Sequence, residues 1–307
     1  MLTGVLEDER FFAVLYTADE GNNPFAEATL AKANPSWGIT VVPEQVRMIA
    51  RQARNNPAQE AVFKTRHLNI WVTGNQALFA MDHWATCKVE GLRLEDFAGR
   101  PCILGLDIAN KIDLTALVLL FPEEDDEGKE VYWVFCRAWL PEVRVESQPA
   151  YAQWISSGWL TQTPGETTDF SMIEEAILEC CAGFEVQAVT YDPWSATQLA
   201  QRMMERNVPM VEYPMTVSTM SEPTKAVDVC MREHRFRHDG NPVLAWCLSN
   251  VVGHRDAKDN VFPRKELPEH KIDAAIGLIM ALGQQIVHSA QESLPTIYQG
   301  DRTLLLW

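Results

Sequence analysis

The chain has 307 residues, 47% of them hydrophobic and 22% charged, enough apolar material for one large or two modest cored domains. Its formal net charge of -16 excludes a protein that grips nucleic acid by a broad basic surface, because affinity of that kind comes from Lys and Arg displacing counterions. No stretch reaches the roughly 20 apolar residues of a membrane-spanning helix, and the opening MLTGVLEDERFF is acidic where a signal peptide is basic, so a cytoplasmic protein that does not enter a membrane is expected.

The first hundred residues have a texture of their own. A short apolar run, FFAVLY (11–16), precedes turn-forming DEGNNP; a helix is expected over 25–33, NPSWG breaks the chain, and VPEQVRMIARQAR reads as a helix with Pro43 in its first turn. HLNIWV is a further apolar stretch, and the segment FAMDHWATC follows before the polar join EGLRLEDFAGRP. One lone strand and several helical pieces do not make a complete domain. A boundary is therefore expected near Gly99, dividing the chain into 1–98, 99–290 and a loosely attached tail, 291–307.

From Pro101 a sheet pattern takes over. Runs at 102–108, 114–121 and 131–139 are rich in Leu, Val, Ile and aromatics, and their short joins predict antiparallel pairing. PEEDDEGKE, between two of them, reads as a solvated turn. A short helix over 151–157 and a longer one, capped by Asp169 and running through Cys181, come next. The strand EVQAVTY, the helix SATQLAQRMMERN, the strand PMVEY, a helix over 222–235 and a closing helix from about Lys271 to His288 complete the pattern. Antiparallel strands followed by alternating strand and helix predict an α/β domain with a mixed sheet.

The seven cysteines form no C-x-x-C pair, and their odd number suits reduced thiols. Cys230, His234 and His238 in CMREHRFRHDG have helical spacing, but no fourth ligand is near, and a core thiol beside two surface histidines explains them more simply than zinc.

Three aspartates interrupt apolar patterns. Asp107 lies within ILGLDIANKIDLTALVLLF, where an unpaired carboxylate costs several kcal/mol; the small Gly105 and Ala109 beside it leave room for a ligand or ion, while a strand-end Asp bonded to the following turn is the alternative. Asp192 ends a strand before Pro193, where a helix N-cap is the simpler explanation of this residue taken alone, but it stands at the sheet edge where α/β sites gather. Asp273 falls on the apolar face of KIDAAIGLIMALG, whose small Ala274, Gly277 and Ala281 let the helix approach the sheet; as a first-turn acid it also complements the helix dipole. Three elements each delivering an acid to one sheet edge imply cations between them. All-oxygen ligation selects Mg²⁺ or Mn²⁺, and a pair of such ions points to two-metal phosphodiester hydrolysis with Asp107 as the bridging ligand.

GLDIANKIDLTALVLLFP, VTYDPWSATQLAQRM, HDGNPVLAWCLSNVV and HKIDAAIGLIMALG, in this order and at these separations, resemble the large terminase subunit of tailed bacteriophages. The resemblance covers nearly the whole chain. It implies an RNase H-like nuclease fold, metal ligation by Asp107, Asp192 and Asp273 with Asp113 as a further acid, and Asn241, Trp246 and Asn250 near the site. Lys265 and Lys271 could meet phosphate, and Trp194 could pack under the site or fill the core. It also implies double-stranded DNA as substrate, a portal protein and a small terminase subunit as partners, and work in the host cytoplasm. The first hundred residues look like the end of the family's ATPase motor and its linker. No G-x-x-x-x-G-K-[ST] loop is present, so this chain alone is not expected to hydrolyse ATP. Two other readings stand beside the endonuclease: a non-catalytic packaging module with a decayed site, and a resolvase- or integrase-like nuclease of the same fold.

Overall fold

A computed structural model describes residues 14–19, 22–53, 57–70, 78–108, 113–256, 258–267 and 269–292. Residues 11–13, 71–72, Ala109 and the tail from 293 onward, all touched by the expectations above, lie outside the described residues. The chain divides into two compact units, Met1–Ala77 and Leu78–Trp307.

The first unit holds three helices, α1 (Glu27–Ala33), α2 (Pro43–Ala53) and α3 (Pro57–Leu68), around Leu30, Val46, Ala50, Phe63 and Leu68. Pro43 opens α2, as expected, because a first-turn residue needs no N–H. Val14, Leu15 and Tyr16 belong to no strand and are exposed.

The second unit starts earlier than residue 99. Residues 78–98 pack with the sheet that follows: the Leu78 N–H donates to Val251 O at 2.8 Å. Trp84, in α4 (Met81–Thr86), stacks on His238 with ring centroids 4.0 Å apart, and Phe97 sits 5.2 Å from Phe135. Cys230 is a core residue and His234 is exposed, as the simpler reading held, but His238 is buried beneath the Trp84 ring rather than on the surface.

The sheet is built from β1 (Pro101–Asp107), β2 (Thr115–Glu124), β3 (Glu130–Pro141), then, after helix α5 (Pro149–Ser156), β4 (Thr161–Thr163). Helix α6 (Phe170–Gly183), β5 (Glu185–Tyr191), α7 (Pro193–Glu205) and β6 (Met210–Glu212) follow. The rest is α8 (Val217–Arg232), β7 (Phe236–His238), α9 (Pro242–Ser249), the hairpin β8 (Val251–Arg255) and β9 (Val261–Lys265), and α10 (Asp273–Glu292). Strand order is β4-β3-β2-β1-β5-β6, with β7 also on β3; β1, β2 and β3 are antiparallel, and β5 and β6 run parallel to β1. This is the expected mixed sheet of seven strands between helices, an RNase H-like arrangement.

Helix α10 lies across β1 and β2 and can do so only because two glycines meet. A Cβ on Gly105 would fall 1.9 Å from the Gly277 carbonyl oxygen, and one on Gly277 would fall 2.9 Å from the Gly105 oxygen. The room expected beside Asp107 at Gly105 is therefore filled by helix backbone, not held open for a ligand. Helix α8 begins at residue 217 rather than 222 because Thr216 and Thr219 form a capping box, and Pro223 lies inside it. The Thr219 carbonyl left without its helical N–H donor accepts the Tyr213 hydroxyl at 3.1 Å.

Candidate active site

Strands β1 and β5 are parallel neighbours, with Leu106 opposite Tyr191, so their carboxyl ends share one edge of the sheet. Asp107 is the last residue of β1 and Asp192 the first beyond β5. Asp192 caps α7, its Oδ1 accepting the Trp194 N–H at 3.3 Å, and the following Pro193 fixes where strand ends and helix begins. Asp273 opens α10 one turn before Gly277, so the glycine contact that seats the helix on β1 also sets where this carboxylate stands. All three acids line one cavity of about 880 Å³.

Within it, charge is poorly answered. Asp107 is 9% exposed, and among the described residues none donates a hydrogen bond to its carboxylate. Burial raises the Asp107 carboxyl well above the ordinary carboxylate range; Asp273, Asp192 and Asp113 raise it further, and Lys265 opposes them. Asp273 is pushed up to about 7, first by burial and then by Asp113, against its own backbone N–H, Lys271 and Lys265. A divalent cation would supply the missing positive charge, and an all-carboxylate donor set fits Mg²⁺ or Mn²⁺. Among the described residues no three His, Cys, Asp or Glu side chains are already gathered into a metal-holding cluster. The acids line the cavity without closing into a cage.

The other expected site residues have different work. Lys271 Nζ contacts both oxygens of Asp113, at 2.7 and 2.8 Å, so the proposed fourth metal acid already has a cation, and Lys271 is bound to it. The pair lines a smaller cavity of about 250 Å³ with Arg144, Tyr151 and Glu269. Asn250 Nδ2 donates to Lys271 O at 3.0 Å and so steadies the segment before α10. Asn241 caps α9 through two backbone N–H groups and donates to Cys136 O at 2.9 Å. Trp246 packs against Tyr151 and Trp154, with centroids 5.9 and 5.5 Å away. None of Asn241, Trp246, Asn250 or Lys271 lines the larger cavity.

Trp194 neither supports the site from below nor fills the core. It lines the larger cavity while 89% exposed. Lys265, a candidate phosphate contact, lines it as well, beside Arg264, which sequence reasoning passed over.

A family model described as terminase large subunit, endonuclease domain, matches residues 5–289. The chain is 34% identical over 305 residues to Protein YmfN of Escherichia coli (strain K12), covering 96% of this chain and 67% of that protein. It is 26% identical over 284 residues to the terminase large subunit of Enterobacteria phage HK97, covering 90% of this chain and 55% of the relative. The crystal structure of the HK97 bacteriophage large terminase superposes with a TM-score of 0.60 at 26% identity, over 88% of this chain and 56% of that one. The chain thus spans a little over half the length of the HK97 protein.

Proposed function

The chain belongs to the terminase large-subunit endonuclease family, and from that premise we propose that it is a divalent-metal endonuclease that cuts double-stranded DNA during phage genome packaging. The observation that carries the reading is the convergence of Asp107, Asp192 and Asp273, from three elements distant in the chain, on one cavity in which Asp107 has no hydrogen-bond partner among the described residues. These three residues would hold Mg²⁺ or Mn²⁺. Ions bound there supply Lewis acidity to the scissile phosphate and make an attacking water more acidic.

The chain's own residues supply position and field. Asp107 is held by a strand paired on both sides, Asp192 by the turn it caps, and Asp273 by a helix that cannot slide without separating Gly105 from Gly277. Lys265 places a positive charge where a phosphate would enter. The end of a packaging motor in the first unit, a portal protein and small terminase subunit as partners, and the host cytoplasm as the place of action belong to the same proposal. No described helix is long and apolar enough to cross a membrane.

The test is plasmid nicking in Mn²⁺ together with calorimetry of Mn²⁺ binding. Wild type should nick and bind the ion, and Asp107→Ala and Asp273→Ala should bring nicking to background while remaining folded. Cleavage by both variants at the wild-type rate removes the assignment. Absence of ion binding by wild type would favour the non-catalytic packaging module instead.

A further inference from the structure

Among the described residues Trp194 is the most exposed large hydrophobic side chain, at 89%, whereas Trp84 and Trp139 are 2% and 4% exposed. An indole left in water forgoes the burial that makes this side chain so effective in a core. Its root is nevertheless fixed, because the Trp194 backbone N–H donates to Asp192 Oδ1, so the turn that places a candidate metal ligand also places the base of the side chain. The same cavity is lined by Met215 and Phe262, which add apolar surface, and by Arg264 and Lys265, neither of which has a carboxylate partner among the described residues.

Three kinds of surface therefore meet in one cleft: carboxylates, unpaired cations, and an aromatic and aliphatic wall. A closed duplex presents a sugar-phosphate edge, which engages cations and carboxylate-held ions but leaves the apolar wall wet. A nucleobase turned out of its stack engages all three, since every base has an apolar face for an indole to cover. We propose, on the basis of the nuclease reading above, that Trp194 is a stacking platform for an unpaired base beside the scissile phosphate. The preferred substrate is then DNA whose strand is locally opened at the cut. Stacking of this kind does not discriminate among bases, so it favours an opened strand without imposing a sequence.

The experiment measures binding of the full chain to two short labelled duplexes by fluorescence anisotropy, with Ca²⁺ in place of a catalytic ion. One duplex carries a single unpaired thymine, and the other an abasic residue at that position. Wild type should bind the first about tenfold more tightly, the scale expected of one base–aromatic stack. Trp194→Ala should bind the two alike, Trp194→Phe should keep most of the preference, and thermal melting should be unchanged because the side chain is exposed. Wild type without a preference, or Trp194→Ala with the wild-type preference, overturns the proposal. The nuclease reading is judged separately, by plasmid nicking and its loss in Asp107→Ala, so either idea can fail while the other stands.

Discussion

Two acidic sites lie beside the start of α10, one at the end of β1 and one just before β2, and they are assembled in opposite ways. Asp113 and Lys271 answer each other's charge directly, and Asn250 holds the lysine's backbone. Among the described residues Asp107 and Asp273 have no such ion pair; they are held near each other by Gly105 meeting Gly277, and both carboxyls are raised. The first site is complete within the chain, whereas the second is kept in deficit by backbone packing. A close approach that only glycine permits thus keeps two raised carboxyls together, whereas the ion pair beside them is a piece of framework.

The strongest way to break this contrast is Gly105→Ala, since the new methyl meets a helix carbonyl that cannot turn aside. A loss of about 3 kcal/mol or more in denaturant unfolding, with loss of nicking, is expected. Next is Lys271→Met, which strands Asp113 and should cost about 2 kcal/mol; adding Asp113→Asn should restore most of it, because the uncompensated charge is then gone.

A smaller and opposite effect is expected at the other site. The Asp273 carboxyl stands at about 7 in the fold against an ordinary 3.8, so its contribution to stability is present below about 4 and fades as pH rises through about 7. Metal-free protein should therefore gain stability as pH is lowered from 8 toward 5. Asp273→Asn should be more stable than wild type at pH 8 by about 1–3 kcal/mol and should flatten that part of the profile. Smallest is the shift from Mn²⁺ itself: at concentrations near its dissociation constant it should raise the wild-type melting temperature by about one degree, more at pH 8 than at pH 6, and leave Asp107→Asn unmoved.

The three cavity acids were legible in the sequence because each breaks an apolar pattern at the end of a strand or the start of a helix. The long strands β1, β2, β3 and β5 and helix α10 were legible for the same reason of periodicity. Asp113 was not, since its partner is 158 residues away and nothing local marks the pair. Strands β4 and β7 have three residues each and exist because β3 offers them an edge, not through any propensity of their own. The helix expected over 222–235 starts at 217, and the Tyr213 hydroxyl on Thr219 shows how it passes through Pro223. The boundary placed near Gly99 failed because Phe79, Trp84 and Phe97 are single anchors in polar sequence, too sparse to read as belonging to the sheet.

That last feature bears on how the nuclease unit can be excised. Cutting before residue 99 would strip the indole from the face of His238 and the amide of Leu78 from Val251, baring the rim of the sheet to neighbouring molecules. Cutting at Leu78 removes none of those contacts, so the shorter piece should precipitate and the longer one should stay in solution.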